Sequence, residues 1–204
     1  MKPSLQLPDS LKNQYYVMRH GESLANTVGI IVSHPDHGIC GYGLSEVGRQ
    51  QVTAEISACK LTQSTRIICS DFKRAHETAK IAHRILACQC QITLDERLRE
   101  RNFGELELGS DRCYAEVWSA DQQQVNRSDK NVETVESVLY RALDLILELE
   151  SEFSDISFLL IAHGDVLQIL QTAFSELPVH QHRQLPHLKT AEIRQLNLPT
   201  GHPQ

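Results

Sequence analysis

The sequence predicts an α/β fold, a three-layer α/β/α sandwich around a mostly parallel central sheet. Two observations predict it. Short apolar runs of strand length alternate with longer stretches of helical periodicity. Two of those runs also end alike, each passing directly into a histidine and a glycine, at His20-Gly21 and His163-Gly164. In an open parallel sheet, residues just beyond the carboxyl ends of the strands line the ligand crevice. Both histidines are therefore expected to project into one crevice.

The elements follow in order. Tyr15 to Met18 is an aromatic and branched run, read as a buried strand cut off by Arg19-His20-Gly21. Residues 24–44 hold four glycines, a proline and two histidines, and read as a loop. Ser45 is placed to cap a helix running to about Lys60. Arg66 to Cys69 is a second strand. Phe72 to Leu86 is a helix with Ala75, Ala79, Ala82 and Leu86 along one side, and Ser70 or Asp71 is expected at its cap. Gln91 to Leu94 reads as a third strand, and Leu98 to Ser110 as an ordered, charged loop. Asp111 to Gln124 is expected to be helical. Val132 to Phe153 is the longest amphipathic stretch, with Val135, Val138, Leu139, Ala142, Leu145, Ile146 and Leu149 on one face. Ser157 to Ala162 is a buried strand with a helix, Asp165 to Phe174, behind it. Leu177 to His187 reads as loop and Thr190 to Leu196 as a last strand. One domain is expected over residues 1–204, with 1–13 as an extension and about 104–130 as a small cap.

Composition narrows the class. With 204 residues, 41% hydrophobic and 23% charged, the chain can bury a real core. A net charge of -6 argues against nucleic acid as the main partner, because backbone phosphates require a concentrated basic surface. It does not argue against a small anion held by a few converging arginines. No apolar run reaches the ~20 residues that span a bilayer, so no membrane partner is expected. The opening segment MKPSLQLPDSLKNQ lacks the apolar centre of a secretory signal. The six cysteines are accordingly expected to be reduced and mostly buried, in a cytoplasmic protein.

Four segments carry candidate chemistry. In Arg19-His20-Gly21-Glu22-Ser23, an imidazole can attack phosphorus if one ring nitrogen is free and the other is held by a hydrogen bond. Arg19 offers a forked donor set, Gly21 would let the backbone approach phosphoryl oxygens, and Asn26 would donate one more bond. In Ser70 to Ala79, Arg74 on a first helical turn would add a second guanidinium, while Lys73 and His76 are read as solvated. In Leu98-Arg99-Glu100-Arg101-Asn102-Phe103-Gly104, Glu100 is the candidate acid for a departing alkoxide. Its ordinary alternative is a surface salt bridge with Arg97, Arg99 or Arg101, and Glu105 and Glu107 compete for its role. In Ala162-His163-Gly164-Asp165, the second imidazole, if protonated, would stabilise charge on the equatorial oxygens; the alternative is a satisfied core histidine. The pairs His34/His37 and His180/His182 lack a third partner at metal-binding spacing and are read as solvated.

Taken together and in this order, the four segments resemble the histidine phosphatase superfamily, which includes cofactor-dependent phosphoglycerate mutases and fructose-2,6-bisphosphatases. The family's marks stand here as RHGES at 19–23, SDFKRAHETA at 70–79, LRERNFG at 98–104 and AHGD at 162–165, over roughly residues 14–196. The resemblance implies a phosphoglycerate mutase-like fold. It implies that His20 accepts the phosphoryl group, that Arg19, Asn26, Arg74 and His163 form the phosphate pocket, and that Glu100 is the general acid. It implies no metal and no cofactor. The expected partners are a small phosphorylated substrate and, at most, a second copy of the chain as a homodimer.

The chain departs from the pattern in two places. Asn131-Val132-Glu133-Thr134 stands where two glycines often precede a Glu-Ser pair, and Glu105 to Gly109 stands where a tryptophan often follows. Hydrolysis is the expected reaction. A mutase is the alternative, disfavoured because Arg112 and Arg127 are the only arginines in Asp111 to Lys130, the stretch before the long helix. A protein phosphatase or a non-catalytic module on the same fold also remains open.

Overall fold

The computed structural model describes residues 6–125 and 130–198. Five strands form one sheet in the order β3-β2-β4-β1-β5: β1 (Gln14–Arg19), β2 (Arg66–Cys69), β3 (Thr93–Leu94), β4 (Ser157–Ala162) and β5 (Ile193–Leu196). β1, β2, β3 and β4 run parallel, and β5 is antiparallel at the edge. β4 is apolar along nearly its whole length because both of its faces are covered. Phe158, Leu160 and Ala162 pack on one side with α6 (Val135–Glu152) and α7 (Gly164–Phe174). Leu159 and Ile161 pack on the other with α3 (Glu46–Ala58) and α4 (Lys73–Leu86). These two cores make the three layers.

The structure sharpens several expected elements. The loop at 24–44 contains two short helices, α1 (Leu24–Val28) and α2 (Pro35–Gly38). Ser23 and Asn26 form a reciprocal capping box on α1, a local signal that was legible in the spacing. Ser45 caps α3 as expected, its side chain accepting from the Gly48 N–H. α4 differs: its N-cap is Phe72, with no side-chain cap, and Ser70 instead accepts the Phe72 N–H at 3.2 Å. The third strand shortens to two residues, and Leu177 to His187 contains a 3-10 helix, Val179–Gln184. α5 (Tyr114–Gln122) follows two 3-10 turns and stands over the carboxyl edge of the sheet, where its Trp118 reaches α7. All six cysteines are free, but only Cys69 and Cys88 are buried, fewer than the composition suggested. No described helix is long and apolar enough to cross a membrane.

Register explains the site. β1 and β4 are neighbours, and Arg19 pairs with Ala162. The next residue on each strand is therefore His20 and His163, leaving the sheet side by side at the ~4.8 Å strand spacing.

Candidate active site

The two imidazoles meet as the sequence requires. Their ring centroids lie 5.2 Å apart, edge to face. His20 is fixed from both sides. Its Nδ1 lies 2.7 Å from the Gly21 carbonyl, which can only accept, so Nδ1 carries the proton. Its Nε2 receives the Arg74 Nε–H at 3.0 Å, so Nε2 holds the lone pair. Burial, reinforced by the Arg74 and Arg19 guanidiniums, keeps this histidine well below its ordinary value, and hence neutral.

Gly21 serves a purpose other than the expected close approach to phosphate. A Cβ there would sit 2.5 Å from the Gly48 carbonyl oxygen, so the glycine lets α3 pack against the loop. Gly164 does similar work for the site, since a Cβ would lie 3.3 Å from Arg19 Nε.

The second segment divides its labour along α4. Arg74 is buried rather than solvated. It bonds the Val32 carbonyl through Nη2 at 2.9 Å. Thr78, one turn on, accepts the Gly21 N–H at 3.2 Å and donates back to the Arg74 carbonyl at 2.8 Å, tying the helix to the nucleophile's loop. Ser70 Oγ lies 3.0 Å from His163 Nε2. Because Ser70 accepts from Phe72, its own proton is assigned toward His163, which leaves Nδ1–H as that ring's donor.

His163 is fully buried beside His20, and burial with the Arg74 charge holds it well below its ordinary value. In this state it is a neutral donor, not the imidazolium that the sequence allowed for.

Glu100 forms none of the three salt bridges that were its ordinary alternative. Arg97 pairs with Asp95, Asp144 and Glu148; Arg99 pairs with Asp71; Arg101 pairs with Asp121 and Asp165. Glu107 is occupied by Ser33 and His37. Glu100 itself is buried, with Oε1 accepting the Arg101 N–H at 3.0 Å. Its Oε2 lies 3.9 Å from both Arg74 Nη2 and His163 Nδ1, beyond hydrogen-bond reach. Burial drives this carboxyl from 4.5 up to about 7, against the pull of Arg74.

Arg19 Nη1 bonds His187 Nε2 at 2.9 Å and the Leu188 carbonyl at 3.1 Å. Asn26 lines the same cavity, but its carbonyl oxygen is spent on the Ser23 cap at 3.0 Å, so only its NH2 remains to offer. Three donors around His20 are buried without a protein partner: Arg19 Nε, Arg74 Nη1 and His163 Nδ1. Folded proteins rarely leave such groups unmatched. A cavity of about 180 Å³ opens onto His20, Arg19, Arg74 and Glu100. A larger cavity of about 270 Å³ beside Arg101 and His180 contains neither His20 nor Glu100. Among the described residues, no group of three His, Cys, Asp or Glu side chains is arranged to hold a metal.

A family model described as the histidine phosphatase superfamily, branch 1, matches residues 15–204. The chain belongs to that superfamily. It is 33% identical over 184 residues to the probable phosphoglycerate mutase GpmB of Yersinia pestis, covering 84% of this chain and 79% of that one. Among solved structures, it resembles a mycobacterial glucosyl-3-phosphoglycerate phosphatase in complex with VO3, at TM-score 0.74 and 25% identity, covering 89% and 91%. It shares its fold with Bacillus stearothermophilus YhfR, at TM-score 0.75 and 23% identity, covering 89% of each chain.

Several residues that support this histidine phosphatase site were not singled out beforehand. Arg141 of α6 donates to the carbonyls of Arg97, Arg99 and Glu100 at 2.6, 2.8 and 3.3 Å, and so clasps the loop that carries the acid. Arg101 turns inward and joins Asp121 of α5 to Asp165 of α7. Asp165 also accepts from Trp118 Nε1 at 2.9 Å. Although burial works against it, contact with the His182 side chain and the Arg101 guanidinium holds Asp165 at about 2. His182, expected to be solvated, is instead buried with Nε2 3.6 Å from Asp165.

Proposed function

We propose that this protein hydrolyses phosphomonoesters in two displacements through a phosphohistidine on His20. The observation that carries the reading is the trio of buried, unpartnered donors gathered around a neutral imidazole whose Nε2 lone pair is held by the Arg74 Nε–H. A tetrahedral dianion satisfies all three. Arg74 shifts its Nε–H from the imidazole to a phosphoryl oxygen, which frees Nε2 to attack phosphorus. The bond from phosphorus to the ester oxygen breaks as the N–P bond forms, and the alkoxide takes the proton of Glu100. Glu100, now a carboxylate, removes a proton from the water that cleaves the phosphohistidine. Phosphate leaves and Glu100 is again protonated. Arg19, Arg74 and the Nδ1–H of His163 hold the equatorial oxygens throughout.

Likeness to a relative named as a phosphoglycerate mutase favours a second reading, in which the phosphoryl group returns to another oxygen of the same acid. That requires a cation for the substrate carboxylate. Among the described residues lining the cavity, Arg19 and Arg74 are the only arginines or lysines, and both attend His20. Arg112 is exposed, and Arg127 lies outside the described residues. Hydrolysis is therefore preferred.

The experiment is phosphate release from p-nitrophenyl phosphate together with trapping of an acid-labile, base-stable phosphoenzyme. Both are expected in the wild type and absent in His20→Ala. Turnover that survives in His20→Ala, or isomerisation of phosphoglycerate outpacing phosphate release, overturns the proposal.

A further inference from the structure

Resting on the hydrolase reading, the geometry points to the kind of alcohol that leaves. We propose that the leaving group is an uncharged, carbon-rich alcohol, cyclic or aromatic, and that esters bearing a second anion are poor substrates.

The cavity lining includes an apolar and aromatic part. Tyr114 and Trp118 of α5 line the cavity together with Ile30 and Val32. The two aromatic residues are held rigidly. Their rings stack at 5.4 Å with 10° between planes. The Tyr114 ring stands edge-on against buried Phe103 at 4.7 Å. The Arg183 guanidinium covers Trp118 at 3.7 Å, and the indole N–H is anchored on Asp165. A preorganised aromatic wall lowers the entropy cost of binding and favours apolar partners.

Charge on this side has the wrong sign for an anion. Asp111 and Asp165 line the cavity beside the protonated Glu100, and among the described lining residues the only arginines are those beside His20. Asp165 already has Arg101, and Arg183 is bonded to Gln168. A carboxylate or second phosphate on the leaving group would meet Asp111 and the aromatic wall without a cation among the described lining residues. Like charges brought together in a partly dry site strongly oppose binding. The volume of about 180 Å³ is below the ~300 Å³ of pockets for drug-sized ligands, which suits a compact alcohol.

The test compares three esters that all depart as primary alkoxides and so demand the same proton: benzyl phosphate, glycerol 3-phosphate and 3-phosphoglycerate. The value of kcat/KM is expected to fall at least about tenfold at each step in that order, the scale on which apolar pockets discriminate. Trp118→Ala should shrink the benzyl-to-glycerol ratio about tenfold, and Trp118→Phe, which keeps a ring, should preserve most of it. If Trp118→Ala does not fold, Tyr114→Leu read by the same ratio replaces it. Asp111→Asn should narrow the gap between glycerol 3-phosphate and 3-phosphoglycerate. A benzyl ester no better than the glycerol ester, or 3-phosphoglycerate equal to or above glycerol 3-phosphate, overturns the inference. Because p-nitrophenyl phosphate turnover reports the hydrolase reading separately, a flat or inverted ranking with that turnover intact defeats only the leaving-group assignment. Loss of all turnover defeats the hydrolase reading beneath it.

Discussion

Glu100→Gln separates chemistry from stability at one position. The substitution keeps the shape of the side chain and removes its proton. General acids contribute roughly 10²–10⁴-fold when the departing oxygen is strongly basic. An alkyl ester such as benzyl phosphate should lose about that much in kcat, whereas p-nitrophenyl phosphate, whose leaving group scarcely needs a proton, should lose only a few-fold. The pH dependence follows from the carboxyl standing at about 7. Only the protonated form donates, so wild-type kcat/KM for the alkyl ester should fall as pH rises through 7. His20, held neutral, adds no opposing limb near that pH. The second ionisation of the substrate phosphate, near ~6, affects wild type and variant alike, so their ratio isolates Glu100. Stability moves the other way. A carboxyl whose folded value is raised stabilises the fold below its unfolded value of 4.5, and that contribution is lost as pH climbs through about 7. At ~1.36 kcal/mol per pH unit, the move from 4.5 to about 7 is worth at most about 3 kcal/mol. At pH 8 the Gln variant should therefore be more stable than wild type, by several degrees in Tm, with the gain vanishing near pH 4. Equal catalytic losses for both esters, or a stability gain that ignores pH, would refute the assignment of Glu100 as the buried acid.

Two further perturbations probe the supports of the site. Arg141→Met releases three carbonyls of the acid's loop. It should lower kcat on alkyl esters about ten- to a hundredfold, the cost of a small misplacement, with KM little changed. That loss should disappear in a Glu100→Gln background, and independent, multiplicative losses would show that Arg141 acts elsewhere. Arg101→Met strands Asp121 and Asp165 without their shared cation. Thermal or urea unfolding should show a loss of about 3–5 kcal/mol, and adding Asp165→Asn should recover part of it. A loss below about 1 kcal/mol would show that the buried network contributes little.

The placement of the proposed reactive groups was legible because it follows from chain direction and register. A strand that ends in His-Gly puts its histidine at the carboxyl edge, and two adjacent parallel strands then bring their histidines together. Arg74 was legible by its position at the start of α4, and Glu100 by its place in a motif. Their supports were not, because their partners are remote. Arg97, Arg99 and Arg101 alternate through a loop without periodicity, so nothing local says that Arg101 is the one turned inward, 64 residues from Asp165. Arg141 does carry a signal in the sequence. It falls between Val138 and Leu145 on the apolar stripe of α6, three and four residues from each, where a charge must find buried acceptors. His182 gave no comparable sign, because a 3-10 helix of six residues shows no readable stripe.

One physical cause sets both proposed reactive groups, and this ties the pocket's proposed chemistry to its dryness. Removing water disfavours whichever form of a group is charged. For the imidazole of His20 that means loss of the proton, and for the carboxyl of Glu100 it means keeping one. A base that must be free and an acid that must be loaded are thus prepared by the same burial, at the same pH. The arginines resist this pressure because guanidinium stays protonated even when buried. The permanent charges closest to His20 are then cationic, which suits a dianion. It follows that residues holding the wall closed, Phe103 and Tyr114 among them, act on the reaction without touching phosphorus. A change that admits water beside Glu100 would lower the carboxyl toward 4.5 and raise the imidazole toward 6.5, moving both groups away from their working states together.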